Sequence, residues 1–347
     1  MARFLNALSE PVQGCAVPEI VEVWADGAAA MAAVKSVAGE GIRWVEAPFG
    51  DIWFRDIAPV VVTGSDGRQQ ARCLRHNGWG EKYRMPGDGS VAARMVARHR
   101  LPARFLSLTG EGGGLEGNGE GVFITTRSCF LNTNRNPGIK ESRVEEILRR
   151  EFGAETVLWL QDGLANDHTD GHVDNLARFV SRGRVVCQHP SGADDPNRER
   201  LREIASALRK FRLPSGARLE VVEIPSPGKV LYEDGSAAPA SHVNFYIANH
   251  RVLVPCYGGE GEAKALAILE ELFPTRQVVG LPARSLLAGG GRLSLRNAAG
   301  SGSAVGVRRP VPRIVKNAQH PSFKQVTRLT RGAVTERRQG FNPCDNQ

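Results

Sequence analysis

The most informative chemistry in this sequence begins with two carboxylates and a guanidinium grouped around an aromatic residue. In residues 51–59, which read DIWFRDIAP, Asp51 and Asp56 flank Trp53 and Arg55. A carboxylate can bind a guanidinium through two hydrogen bonds, and an aromatic face can stack on a planar cation. The segment therefore indicates a site for a planar cation, although a surface turn with a local Arg55–Asp56 pair would have the same composition.

A glycine-dense loop with acidic residues follows at residues 110–121, which read GEGGGLEGNGEG. No Gly-Lys-Ser/Thr follows it and no GxGxxG opens a helix, so it does not match the phosphate-binding loops. Because glycine has no side chain, the backbone of such a loop can approach a small ligand while Glu111 reaches it. An ordinary turn is the alternative interpretation.

A third segment, residues 167–175, reads DHTDGHVDN and places a histidine between carboxylates. On an extended backbone His172 and Asp174 would point to the same face, two residues apart. A histidine in this setting can act as a general acid and base or as a metal ligand. Hard cations would accept these carboxylates, but the sequence places no further His or Cys to complete a transition-metal site, so we expect no metal.

These segments belong to a pattern of strands alternating with amphipathic helices, which extends to about residue 291. Such regular alternation predicts an α/β fold. The predicted strands are 20–24, 60–62, 121–125, 176–180, 184–187, 219–224, 243–247 and 252–255, and the predicted helices are 27–38, 141–152, 197–211 and 260–273.

The positive charge of the chain is confined to its C-terminal part. Residues 292–347 contain eleven Lys/Arg and two Asp/Glu, whereas residues 1–291 contain 34 and 35. Gly, Ser, Arg and Pro dominate the C-terminal segment, which predicts a basic, disordered tail. The two predicted units are therefore a folded domain, 1–291, and the tail, 292–347. The tail lacks a recognised nucleic-acid motif and has only Phe323 and Phe341 as stacking residues, so we do not expect nucleic-acid binding.

Composition excludes several other classes of protein. Hydrophobic residues make up 41% of the chain and charged residues 24%, and no run of about 18 apolar residues offers a membrane span. The N-terminus lacks the apolar run of a secretory signal, and the six cysteines are scattered without CxxC pairs. We therefore expect a cytoplasmic protein with reduced thiols and no membrane partner.

Six ordered motifs between residues 40 and 291 carry a resemblance to a known family. They are DIWFRDIAP, EGGG with LEGNGEG, TNRNP (133–137), DHTDGHVDN, SHVNFYIAN (241–249) and AGGG (288–291). In this order they resemble the motif series of the agmatine deiminase and bacterial peptidylarginine deiminase family. The resemblance implies the pentein fold, a five-bladed β/α propeller with the site in its central channel. The implied reaction is hydrolytic deimination without a cofactor. A cysteine thiolate attacks the guanidinium carbon, ammonia leaves, and water releases a ureido product.

The resemblance also implies roles for individual residues. The acid that holds the guanidinium falls on Asp56 and the loop acid on Glu111. The His-x-Asp pair falls on His172, as base, and on Asp174, as a second carboxylate for the substrate. We expect the neighbouring Asp51, Trp53 and Asp170 to contribute to substrate binding. Carboxylates would hold the cation in a near-attack pose while His172 moves the protons.

The sequence departs from the family after the glycine run, where the family has His-Cys and the cysteine is the nucleophile. Here Gly291 is followed by RLSLRNAA, so we expect the chain as written to be inactive. Codons exist for residues 291–300 that, read one nucleotide later, give Gly-Gly-Phe-His-Cys-Ala-Thr-Gln-Gln. A frameshift is therefore our hypothesis, and it would disrupt the last blade and lower solubility. Cys129 and Cys256 lie in apolar strand contexts, which favour inert buried thiols. The resemblance also predicts that the N-terminal strand of the family is missing.

Agmatine is the expected original substrate, with N-carbamoylputrescine and ammonia as products. Free or peptidyl arginine is the alternative substrate. A non-catalytic guanidinium-binding protein is an alternative from another class, and homo-oligomer formation stays open.

Overall fold

The computed structural model describes residues 2–10, 19–289, 305–307 and 313–315. In this part of the chain the strands form five sheets, four of three strands and one of four, and all five share one three-stranded arrangement. One strand pairs antiparallel with the central strand, and the strand that follows the central one pairs parallel with it.

The strands of the five sheets, in chain order, have the following bounds. They are β1 (Glu22–Ala25), β2 (Arg43–Glu46), β3 (Val60–Thr63), β4 (Gln69–Arg75), β5 (Ala103–Thr109), β6 (Glu116–Gly117), β7 (Val122–Thr126), β8 (Thr156–Leu160), β9 (Ala177–Ser181), β10 (Arg184–His189), β11 (Glu220–Pro225), β12 (Tyr246–Ile247), β13 (Arg251–Cys256), β14 (Gln277–Pro282), β15 (Val305–Val307) and β16 (Arg313–Val315). The sheets are β15-β1-β2, β16-β3-β4-β5, β6-β7-β8, β9-β10-β11 and β12-β13-β14.

A helical connection joins each central strand to its parallel neighbour, as a crossover between parallel strands requires. The helices are α1 (Ala2–Ser9), α2 (Gly27–Lys35), α3 (Phe54–Ile57), α4 (Gly78–Glu81), α5 (Asp88–His99), α6 (Arg127–Phe130), α7 (Glu141–Phe152), α8 (Arg198–Lys210), α9 (Glu262–Leu272) and α10 (Arg284–Gly289). Two single 3-10 turns occur at Gly112–Gly114 and Val173–Asn175.

Helix α7 shows how the sequence encodes these connections. Its apolar residues Val144, Ile147 and Leu148 recur on one face and are all buried. The helix ends at Phe152 and is followed by Gly153, whose φ of 72° places it in the left-handed region that favours glycine at a helix C-terminus. The buried face packs against β7 and β8 through Phe123 and Trp159.

The α/β architecture is confirmed, and five sheets of one topology are compatible with the expected five-bladed propeller. The strand predictions agree closely at β3, β7, β9, β10, β11 and β13, and the helix predictions agree at α2, α7, α8 and α9. The prediction for 243–247 was too long, because only Tyr246–Ile247 pairs as a strand. The helix predicted for 27–38 ends earlier, at Lys35.

The prediction of a disordered or out-of-frame tail at 292–347 falls largely outside the described residues. Two strands of that segment are described, and β15 pairs antiparallel with β1 while β16 pairs parallel with β3. The predicted disruption of the last blade and the missing His-Cys motif concern residues outside the described part. Over the described residues, none of the helices combines the length and apolar character needed to cross a membrane.

Candidate active site

The topology explains why the motifs converge. Four of the six motifs immediately precede the antiparallel strand of a sheet: residues 51–59 precede β3, residues 110–114 precede β6, residues 167–175 precede β9, and residues 241–244 precede β12. Equivalent positions of five sheets with one topology lie at the same end of the fold, so side chains distant in sequence can meet. In the remaining sheet the equivalent segment, 290–304, precedes β15 and lies outside the described residues.

Asp56, in the short helix α3, is held by two donors. Its Oδ1 accepts a hydrogen bond from the backbone N–H of Gly113 at 3.0 Å, and its Oδ2 accepts one from Nε1 of Trp79 at 3.0 Å. The indole ring is buried in the apolar cluster that also contains Phe49 and Phe54. The carboxylate therefore has a fixed orientation and lines a cavity.

Gly113 is the point at which the site residues come closest together. A Cβ atom at this position would lie 2.4 Å from Nδ1 of His172, 2.7 Å from Oδ1 of Asp56 and 3.0 Å from Oδ2 of Asp174. The residue must be glycine for the three functional groups to keep their places. The glycine loop thus brings backbone close to the protein's own catalytic candidates.

His172 and Asp174 lie in a turn rather than on a strand. His172 precedes the 3-10 turn Val173–Asn175, and β9 begins at Ala177, so the expected extended backbone was wrong. The two side chains still converge, because both reach the space beside Gly113. The bend lets the backbone N–H of His172 donate to Oγ1 of Thr169 at 3.0 Å.

The imidazole of His172 lies between two carboxylates and is only 2% exposed. Its Nδ1 is 3.7 Å from Oδ1 of Asp56, and its Nε2 is 3.2 Å from Oε2 of Glu111. Burial opposes the charged imidazolium, but Asp56 and Glu111 outweigh it, so the pKa of His172 lies well above its usual value. The raised pKa favours the protonated imidazolium, which can donate a proton to a leaving group in the cavity.

Glu111 lies behind His172. Its carboxylate is fully buried and also accepts from Nε of Arg135, at 2.9 Å to Oε2 and 3.2 Å to Oε1. Burial would raise the pKa of Glu111, but His172 and Arg135 lower it below the usual value. Glu111 is not among the described residues that line the cavity, and its charged partners are His172 and Arg135.

Asp174 belongs to a buried chain of alternating charges. Its Oδ2 is 2.9 Å from Nε of Arg55, Nη2 of Arg55 is 3.5 Å from Oε2 of Glu116, and Nε of Arg178 is 3.0 Å from the same oxygen. All four side chains are 8% exposed or less. These ion pairs hold the carboxylate of Asp174 in place and neutralise part of the negative charge of the site.

The cavity has a volume of about 160 Å³ and mixes carboxylates with aromatic rings. Asp51, Trp53, Asp56, His172 and Asp174 all line it, as the sequence prediction requires of residues that contact a ligand. Burial raises the pKa of Asp51 to about 6, with Asp88 and Asp56 adding to the effect. Further lining residues that the sequence did not single out are Trp79, Tyr83, His168, Tyr232, Asn244 and Tyr257. The segment 76–80, HNGWG, carried the only local signal for Trp79, an aromatic residue between glycines.

Asp170, expected to bind substrate, has protein partners. Its carboxylate contacts Nζ of Lys82, accepts from Nδ2 of Asn134 at 2.9 Å, and lies 2.6 Å from Nη1 of Arg135. It is absent from the described lining of the cavity and instead borders a separate surface groove. Asp170 therefore supports the loop on which His172 lies.

The two cysteines weighed as substitute nucleophiles are both buried. Cys129 is fully buried, with its Sγ 4.0 Å from Oε2 of Glu111, and burial raises its pKa. Cys256 is 8% exposed, and burial raises its pKa to about 12. Neither is among the described residues that line the cavity, and thiols with raised pKa values are poor nucleophiles.

Ligand atoms of Glu111, Cys129 and His172 lie within 4.8 Å of one another. This is the one group of the described residues whose composition suits a soft metal. Arg135 already neutralises Glu111, however, and a metal cation there would lie next to the buried guanidinium. The charges of the cluster therefore oppose metal binding.

Comparisons with known proteins agree with the resemblance seen in the sequence. The sequence model of the Porphyromonas-type peptidyl-arginine deiminase family matches residues 2–294. An agmatine deiminase of Stutzerimonas stutzeri is 34% identical over 321 residues, which cover 84% of this chain and 82% of that protein. The chain belongs to this family of deiminases, which are hydrolases.

Solved structures show the same fold. The agmatine deiminase of Enterococcus faecalis is similar with a TM-score of 0.71 and 27% identity, over 75% of this chain and 77% of that one. An agmatine deiminase from C. jejuni is similar with a TM-score of 0.73 and 24% identity, over 84% of this chain and 83% of that one. At 24% identity, the similarity to the C. jejuni protein supports the fold alone.

Proposed function

We propose that the site is that of an agmatine deiminase and that the chain as written binds the substrate without hydrolysing it. The observation that carries the proposal is the meeting of His172, Asp56 and Asp174 beside Gly113, at the wall of the cavity. Two carboxylates can hold the guanidinium while the protonated His172 stands ready to supply a proton to departing ammonia. The carbon-attacking cysteine expected after the glycine run is missing from the sequence at 292–299.

The charges of the cavity favour agmatine over arginine. The described lining residues include four carboxylates and one guanidinium: Asp51, Asp56, Asp167, Asp174 and Arg55. Arg55 is already bound to Asp174 and Glu116. A substrate carboxylate would therefore enter a mainly acidic cavity in which Arg55 and His172 already face carboxylates of the protein, whereas a second amine at the far end of the substrate would find Asp51 or Asp167. Free or peptidyl arginine remains the alternative substrate.

Calorimetric titration with agmatine and with arginine tests the proposal. We expect agmatine to bind at least about tenfold more tightly, a difference of about 1.4 kcal/mol. Asp56→Asn should weaken agmatine binding about 10- to 150-fold, because it removes a charge-assisted hydrogen bond worth about 1.5–3 kcal/mol. Asp66→Asn is the matched control, since Asp66 is exposed and pairs only with the exposed Arg68 among the described contacts. Equal affinity for arginine would favour the alternative substrate.

Ammonia release and the gene sequence separate an active enzyme from a binding protein. With agmatine bound, the chain as written should release no ammonia. Sequencing the DNA across the codons for residues 289–300 tests the frameshift. If a base was inserted or misread there, the corrected reading frame encodes His-Cys, and the protein with that sequence should release ammonia. DNA that confirms the printed sequence, together with agmatine binding, would identify a non-catalytic guanidinium-binding protein.

A further inference from the structure

Arg135 is a buried arginine to which neither the motif series nor the proposed mechanism gives a role. It belongs to the TNRNP segment and its side chain is 0% exposed. Its Nε donates to both oxygens of Glu111, its Nη1 lies 2.6 Å from Oδ2 of Asp170, and its Nη2 donates to the carbonyl oxygen of Thr169 at 2.9 Å. One guanidinium thus binds the loop that carries Glu111 and the loop that carries Thr169 and Asp170.

Both of these loops hold His172 directly. Oε2 of Glu111 lies 3.2 Å from Nε2 of the imidazole, and Oγ1 of Thr169 accepts from the backbone N–H of His172 at 3.0 Å. Arg135 donates hydrogen bonds to these same two residues, Glu111 and Thr169. The position of the ring and the position of its backbone therefore depend on one buried cation.

The planar shape of the guanidinium is needed for this arrangement. Its Nε, Nη1 and Nη2 face three different partners, and a lysine ammonium in the same place has one nitrogen to offer. The charge is needed as well, because Glu111 would otherwise be a fully buried carboxylate with His172 as its only charged partner among the described contacts.

We propose that Arg135 is a positioning residue of this site, which fixes Glu111 and Thr169 so that His172 keeps the orientation in which Nδ1 faces Asp56 and the cavity. The role given to His172 rests on the proposed function, but the position of its ring can be measured without any substrate. A protein that fails to bind agmatine would overturn the proposed function and leave this inference standing.

The experiment measures solvent exchange of the His172 Nε2–H proton by NMR on ¹⁵N-histidine-labelled protein, with the signal assigned by its loss in His172→Gln. In the unchanged protein the proton is buried and bonded to Glu111, so it should be protected. In Arg135→Gln and in Arg135→Lys we expect exchange at least tenfold faster. Arg72→Gln is the matched control, because Arg72 is also a buried arginine, with Nε 3.3 Å from Oε2 of Glu151, and its described contacts, with Gln70, Ala71 and Glu151, lie outside the site. Its exchange rate should not change.

Each other outcome decides against the proposal. Unchanged exchange in both folded Arg135 variants would show that the residue supports the fold alone, and restoration by Arg135→Lys would show that charge suffices without the planar guanidinium. If the Arg135 variants do not fold, Asp170→Asn removes only the outer partner of Arg135, which is 18% exposed. We then expect a smaller but measurable acceleration, and an unchanged rate in that variant would overturn the proposal.

Discussion

Replacing Gly113 by alanine tests most directly whether the three functional groups meet as the structure has them. The new Cβ would lie 2.4 Å from Nδ1 of His172, whereas ordinary contacts begin at 3.4 Å. The imidazole cannot move aside freely, because it is buried between Asp56 and Glu111. The overlap of about 1 Å must therefore displace the ring, Asp56 or Asp174, and overpacking of this kind costs about 1–3 kcal/mol.

The expected result is a loss of both stability and binding. Urea unfolding should show a free energy lower by about 1–3 kcal/mol. Agmatine affinity should fall about 10- to 150-fold, since displacing Asp56 or Asp174 breaks a charge-assisted hydrogen bond worth about 1.5–3 kcal/mol. Gly89→Ala is the matched control: Gly89 lies in α5, a Cβ there meets nothing within 4 Å, and alanine favours helix.

The control variant should be as stable as the unchanged protein or more so, with the same affinity for agmatine. Gly113→Ala with unchanged affinity and unchanged unfolding would mean that His172, Asp56 and Asp174 do not converge at this glycine. A loss of stability with unchanged affinity would place the ligand elsewhere.

Four further predictions concern groups in or near the cavity. The raised pKa of Asp51, about 6, means that its carboxylate forms as pH rises through that value, so agmatine affinity should increase over this range and Asp51→Asn should abolish the increase in a titration series. Burial disfavours the ionised form of Asp51, so the folding stability that this residue contributes should be lost as pH rises through about 6. The melting temperature of Asp51→Asn should lack this loss over the same pH range. Glu116→Gln leaves Arg55 and Arg178 without a shared carboxylate and should lower the free energy of unfolding by about 3–5 kcal/mol in urea, and a change below about 1 kcal/mol would contradict the buried charge chain. Finally, peptide mass analysis after 2-chloroacetamidine treatment of the native protein should find Cys129 and Cys256 unlabelled, and an adduct on either would show that it can act as the nucleophile.

Several elements of the fold could be predicted because their signals are local. The apolar spacing of α7 identifies the helix, and the short β-branched runs at β3 and β10 identify buried strands. Strand β5 was missed. Its sequence, ARFLSLT, lacks the regular apolar–polar alternation of a half-buried strand. Its apolar Phe105 is in fact 65% exposed. The segment is a strand because it pairs with β4, and its own sequence does not predict that pairing.

The candidate site likewise contains residues that the sequence could identify and positions that it could not predict. Residue type and spacing identified Asp51, Trp53, Asp56, His172 and Asp174, and all five line the cavity. The distinct positions of Glu111 and Asp170 behind the cavity wall could not be predicted, because both depend on Arg135. That arginine is 24 residues from Glu111 and 35 from Asp170 along the chain.

The sequence by itself determined the alternation of strands and helices, the acidic and aromatic motifs, and the absence of His-Cys after the glycine run. These are properties of neighbouring residues, which short-range sterics and hydrophobic periodicity express directly. Only the tertiary structure decided which acids face the ligand and which face Arg135, and that Gly113 lies at the meeting point of the site. The physical reason is that burial and charge pairing depend on distances between segments, and five similar sheets set those distances.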